Sequence, residues 1–134
     1  MITADLDVDA SRASVIDITD AVSRFCRSAG GDGLLSVFVP HATAGVALME
    51  TGSGSEADLV EALERVLPRD NRYRHVHGSP GHGADHLLPA LVSPSVVIPV
   101  MGGRMRLGTW QSVVLVDLNR DNPRRTVRLS LLQG

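Results

Sequence analysis

No lysine occurs in this chain: all 13 of its basic side chains are arginine. A guanidinium stays protonated and cannot act as a nucleophilic amine, so Schiff-base chemistry, a lysine general base and a phosphate-loop lysine are excluded. The single cysteine, Cys26, excludes an internal disulfide and a zinc site built from several thiolates of one chain. Aromatic residues make up only 3% and the formal charge is -2, so neither a base-stacking platform nor a phosphate-tracking surface is evident, and no nucleic-acid partner is expected. No apolar run approaches the roughly 20 residues of a membrane span, and the opening MITADLDVDA lacks a basic leader ahead of an apolar core. The expectation is a cytoplasmic protein with no membrane partner. A serine nucleophile elbow, an HExxH motif and a dinucleotide fingerprint are also missing.

What the chain does have is a globular balance, with 43% hydrophobic and 21% charged residues in 134. That length suits a single domain, 1–134, burying roughly two thirds of its unfolded surface. From Ile2 to Val8 apolar and polar residues alternate, the period of a strand with one wet face. A short strand is expected over Ala13 to Ile16, then a helix capped by Asp17 or Thr19 and running to about Ser28. Its stripe is Val22, Phe25, Cys26 and Ala29, which makes Cys26 a core residue, and Gly30-Gly31 ends it. Leu34 to Val39 and Gly45 to Glu50 read as strands, and a second helix is expected from Ser53-Gly-Ser55 to Leu67, with Ser53–Glu56 or Ser55–Asp58 as capping pairs. After a long Gly-, Pro- and His-rich stretch, 69–90, come a hairpin around Gly102-Gly103 and two more strands, over Trp110–Leu118 and Thr126–Leu132. Some seven strands with two helices inserted early predict an α+β fold with a largely antiparallel, β-sandwich-like sheet.

Four of the five histidines, His75, His77, His82 and His86, fall within twelve consecutive residues, and His41 sits in a polar break between two strands. His75 and His77 project to one side of an extended segment, while His82 and His86 align on one face of a helical turn, so each pair has a spacing a metal can use. A solvated loop that merely tolerates histidines has the same spacing. Imidazoles favour zinc, nickel, copper or iron over magnesium, and three of them leave a position open. Carboxylates able to orient the rings or accept protons are Glu50 and Asp85. Arg104 and Arg106 share a face of the hairpin strand, where they can meet an anion or water. Trp110 reads as a sheet-edge or subunit contact, with Gln111 the better pocket residue.

The run His41-Ala-Thr43-Ala44-Gly45 is followed by Glu50 nine residues after its histidine, by Tyr73-x-His75, and by His86 eleven residues further on. Pro94-Ser95, Gly103-Arg104 and Leu107-Gly108-Thr109-Trp110-Gln111 complete the order. Over nearly the whole chain this resembles the YjbQ-like family, whose members have been described as secondary thiamine-phosphate synthases. The resemblance implies a small α+β domain assembling as a homotrimer, with a histidine-lined pocket near a subunit boundary. It implies His41, His75 and His86 as metal ligands and catalytic residues and Glu50 as a catalytic proton acceptor or orienting group, and it leaves His77 and His82 out. Thr43, Arg104 and Gln111 are the expected substrate contacts. The metal is expected to be divalent, with zinc the best match to histidines and magnesium suited to a diphosphate substrate. The chain departs from the family at Met49, Gly78-Ser79 and Leu88, where many relatives carry polar or charged groups suited to gripping phosphate.

Three functional readings follow. The first is a metal-binding transferase that couples hydroxymethylpyrimidine diphosphate with thiazole phosphate. The second is a metal-dependent hydrolase of a small phosphorylated substrate. The third is a non-catalytic trimeric module that binds a metal or a small anion.

Overall fold

The computed structural model describes residues 1–75 and 78–134. In chain order the first half carries β1 (Ile2–Asp9), β2 (Val15–Asp17), α1 (Thr19–Ala29), β3 (Gly33–Phe38), β4 (Gly45–Met49) and α2 (Ser55–Val66). The second half carries the one-turn helices α3 (His82–Asp85) and α4 (Leu88–Leu91), then β5 (Ser95–Met101), β6 (Arg104–Met105), β7 (Ser112–Val116) and β8 (Arg124–Gln133). Five strands form an antiparallel sheet in the order β1-β8-β3-β5-β6, and three form a second sheet, β2-β7-β4. The architecture is the expected α+β, antiparallel, sandwich-like one.

Alternation along the strands explains the layering. Leu35, Val37, Ile98, Val100, Val127, Leu129 and Leu131 face inward from the large sheet and meet Val46, Val113 and Leu115 of the small one, with Val22 and Cys26 of α1 in the same core. Fully burying each such side chain is worth about 1.5–3 kcal/mol. Burial raises the pKa of the Cys26 thiol, as expected of a structural cysteine. On the other side of the small sheet Val114 and Val116 pack against Leu63 and Leu67 at the end of α2, with Ala84 and Leu88. β7 is therefore buried on both faces, which accounts for its unbroken apolar run.

Three local expectations differ from the structure. Neither Asp17 nor Thr19 holds the N-cap position of α1, which falls to Ile18 with no side-chain cap, and Asp17 accepts from the Thr19 amide at 2.9 Å instead. No capping pair closes α2: Gly54 holds the N-cap position at φ +94°, the Glu56 carboxylate accepts from the Gly52 amide, and Ser53 donates instead to Glu50. A left-handed glycine at the cap turns both serines away from the roles the sequence pattern assigns them. Trp110 lies outside its strand, 74% exposed in the turn before β7. Among the described residues no helix is long and apolar enough to cross a membrane.

Candidate metal centre

A buried polar network holds Arg69 and α3 in place. Arg69 pairs with the buried Asp85 of α3, and Asp85 also accepts from the side-chain amide of Asn119 at 3.0 Å. The Asn119 backbone donates to Asp117, which receives Arg125 at 2.6 and 3.2 Å, and the same guanidinium donates to Thr43 Oγ1 at 2.7 Å. Asp117 and Arg125 are 0% and 3% exposed. An ion pair so deeply buried is tolerable only because its remaining donors and acceptors are also satisfied.

On this support α3 carries its first residue, His82, toward His86 one turn later. Their Nε2 atoms are 3.0 Å apart. The His75 ring stacks on His82 with centroids 5.0 Å apart and sits 4.0 Å from the His86 ring. One ligand nitrogen from each of the three lies within 4.8 Å of the others. Asp121 meets the far nitrogen of His82, Nδ1, at 3.1 Å, and Ser79 and His82 hold its carboxyl below the usual carboxylate range. A carboxylate on one imidazole nitrogen that aims the other at a common centre is the usual outer arrangement of a histidine metal ligand. Beside the group a crevice of about 10 Å³ lies among Asp70, His75, Ser79 and His82; His86 does not line it. That is the scale of one water-sized body, too small for an organic substrate.

The sequence-expected residues are only partly brought together. His75 and His86 converge, and their third partner is His82, which the family positions leave out; the one-turn spacing of His82 and His86 is the sequence signal that points to it. His41 is not in the group. Its Nε2 accepts the Thr126 amide at 2.9 Å, which commits that lone pair to holding the start of β8. Burial first, and the Arg125 charge second, push its pKa down, so the neutral ring suited to this contact is favoured. Thr43 is buried under Arg125 and is no surface contact.

Glu50 lies past the far end of β4. The register pairs Gly45 with Val116 and Met49 with Ser112, so the five residues of β4, at about 3.3 Å each, separate Glu50 from the Thr43–Asp117 end where the network leads to the histidines. Gln111 is at the Glu50 end, and its side-chain oxygen accepts the Gly108 amide. Arg104 is in β6, at the edge of the large sheet. Asp85, read as a possible ring-orienting carboxylate, instead clamps Arg69 and Asn119. His77 lies outside the described residues. Asp121 has no local sequence signal, since it comes from the turn before β8, 39 residues from His82.

Comparison with known proteins adds the following. A family described as "UPF0047 protein YjbQ-like" matches residues 4–134. UPF0047 protein Rv2556c of Mycobacterium tuberculosis is 68% identical over 129 residues, spanning 96% of each chain. A UPF0047 protein of Archaeoglobus fulgidus is 36% identical over 118 residues, covering 88% of this chain and 91% of its own. Among solved structures, hypothetical protein APE1520 from Aeropyrum pernix superposes with a TM-score of 0.90 at 36% identity over the whole of both chains. A YbjQ-like protein of unknown function from Sulfolobus solfataricus superposes with a TM-score of 0.91 at 24% identity, covering 99% and 97%.

Proposed function

This chain belongs to the YjbQ-like family, UPF0047, and on that footing we propose that it is a metal-dependent transferase acting on a small phosphorylated substrate, with thiamine-phosphate-synthase-like coupling as the reaction. The observation that carries the metal part is the approach of His75, His82 and His86 nitrogens within 4.8 Å of one another. Three imidazoles suit zinc better than magnesium. Such a cation supplies Lewis-acid neutralisation of the negative charge that accumulates on a departing diphosphate. In the coupling itself a C–N bond forms at the thiazole nitrogen, the C–O bond to diphosphate breaks, and the electron pair leaves with the diphosphate.

The chain's own residues hold the geometry. Asp121 keeps His82 Nε2 aimed inward, and the Arg69–Asp85–Asn119 clamp fixes α3, so the nitrogens are in place before any substrate arrives. The crevice beside His75 and His82, about 10 Å³, is too small for an organic substrate, which is received outside it. A second copy of the chain is the natural source of that outer wall, because Glu50 and Gln111, the expected acid and pocket residue, lie at the opposite end of the small sheet. Self-association is favoured by an apolar row across the outer face of the large sheet, where Leu132, Leu34 and Pro99 are neighbours in register and Val97 lies close by. Leu34, Val97 and Leu132 are each at least half exposed. A homotrimer is the assembly we infer.

The distance of Glu50 from the histidines within one chain favours a second reading, a non-catalytic metal- or anion-binding module. Cobalt titration followed by turnover assays separates the two. We expect one tightly held metal per chain, its affinity cut sharply by His75→Ala, His82→Ala or His86→Ala and unaffected by His41→Asn. We also expect coupling of hydroxymethylpyrimidine diphosphate with thiazole phosphate, lost in the same three variants. Stoichiometric metal without turnover selects the binding module, phosphatase turnover without coupling selects a hydrolase, and metal binding indifferent to all three histidines rejects the site.

A further inference from the structure

The two sheets are joined along one side and open along the other. At β4 the Val46 amide donates to the Ser93 carbonyl at 2.8 Å and Gly45 abuts Val92, so the connection into β5 seals that side. The opposite side ends on two edge strands, β1 of the large sheet and β2 of the small one, which among the described residues pair only with β8 and β7. A cleft of about 520 Å³ separates them, lined by residues 5–9 of β1, residues 16–18, and α1 through Asp20, Ala21 and Arg24. A strand that turns a face to a cavity lines it with every second residue. The unbroken run 5–9 means that β1 turns its edge to the cleft, with the backbone amides and carbonyls that β8 does not use.

The cleft selects what can pair there. Its floor is apolar, made by the partly buried Leu6, Val8 and Ile16. Its rim carries Asp5, Asp7, Asp9, Asp17 and Asp20 against the single Arg24. Arg128 neutralises Asp5, whereas among the described residues neither Asp7 nor Asp20 is in an ion pair. Aspartates at alternate positions of β1 repel a second β1 laid beside it, because like charges directly opposite destabilise a strand pair. The β6 strand of another copy does alternate arginine with apolar residues, but Met105 and Leu107 already pack on their own core and cannot fill the cleft. The partner that fits is therefore a separate extended segment. A strand laid on β1 sends alternate side chains inward over Leu6 and Val8 and outward beside Asp7 and Asp9, so the first set must be apolar and the second cationic. Some five residues of it, at about 3.4 Å each, match the length of the exposed run.

We propose that the β1–β2 cleft is a docking site for an extended peptide segment in which arginine or lysine alternates with apolar residues, bound as an added strand on β1. The site uses none of the histidines and does not rest on the metal reading. A capped, fluorescently labelled heptapeptide of alternating arginine and valine, titrated with the full-length protein, tests it. Anisotropy is read at about 0.15 M salt, where loose surface attraction is screened. The expected result is one saturable site per chain, with slowed hydrogen exchange at the amides of residues 5–9 in the complex. Affinity should fall about tenfold or more in the Asp7→Asn/Asp20→Asn double variant, in line with the loss of charged contacts. A peptide of the same composition in block order, and one with methylated backbone nitrogens, should lose at least as much, since neither presents the alternation together with the strand edge. Glu61→Gln, an exposed acid on α2 outside the cleft, should bind as the parent does. Asp7 and Asp20 are exposed, so the double variant should fold, and an unchanged far-UV spectrum verifies that it does. Equal binding of the block-order peptide, indifference to the double substitution, or no saturable binding overturns the proposal. So does a parent protein in which a second copy already protects the amides of residues 5–9.

Discussion

At the scale of single residues, the side chains around the histidines divide into those that would touch a metal and those that hold others in place. Asp121 belongs to the second kind. Asp121→Ala should weaken metal binding about 10–100-fold while leaving the fold intact, as loss of an orienting partner generally does; isothermal titration with zinc or cobalt measures it. Asp117 is different, being wholly buried against Arg125. Asp117→Ala strands that guanidinium and should cost about 3–5 kcal/mol in urea unfolding. His41 gives a pH signature. Its folded pKa is pushed down, so the unfolded chain binds the extra proton first, and stability should fall as pH drops below the ordinary histidine value of about 6.5 toward the lowered folded value. Thermal melts across that window should show an acid-side loss that His41→Asn diminishes; equal slopes in the two proteins would remove the assignment. The sequence marks His75 and His86 through family positions and His82 through one-turn spacing. Nothing local marks His41 as a backbone acceptor, because its partner, the Thr126 amide, is 85 residues away.

At the scale of elements, period-two alternation places β1, β3, β5 and β8 within a residue or two of their observed bounds, and the stripe Val22, Phe25, Cys26 and Ala29 identifies the buried face of α1. Apolar side chains declare themselves because burial depends on local spacing. The start of α2 is not legible in the same way, since Gly54, Ser53 and Ser55 are all acceptable cap residues and the choice among them is made by how Glu50 and Gly52 fall at the end of β4. The loop 69–90 reads only as long and polar, and its two single turns are too short to carry a period. One close approach is testable here. Gly45 opens β4 with its Cα against the chain at Val92, where an added Cβ would lie 2.0 Å from the Val92 carbonyl oxygen. Gly45→Ala should push β4 off the α4–β5 connection and lower stability by about 1–3 kcal/mol, read as a drop in melting temperature.

At the scale of the molecule, the large sheet buries one face against the core and shows an apolar row on the other. Leu34, Val97 and Leu132 are 50%, 61% and 59% exposed, and an apolar row like this on a sheet face favours a partner. If a second copy covers it, the protein should run as an oligomer in light scattering, and Leu34→Asp combined with Val97→Asp should yield monomers that keep their far-UV spectrum. A parent protein that is already monomeric at micromolar concentration would leave the face without that role.

The amino-acid order alone settles which residues turn inward, how many strands there are to within one, and which chemistries a lysine-free chain with one cysteine cannot perform. Those properties depend on composition and on spacing over a few positions. Which imidazoles meet is decided elsewhere, by the register of β4 on β7 and by a buried clamp linking Arg69, Asp85 and Asn119. Contacts of that kind join positions from 16 to about 70 apart, so His82 joins His75 and His86, and Glu50 ends at the other end of the small sheet, only once the chain has folded.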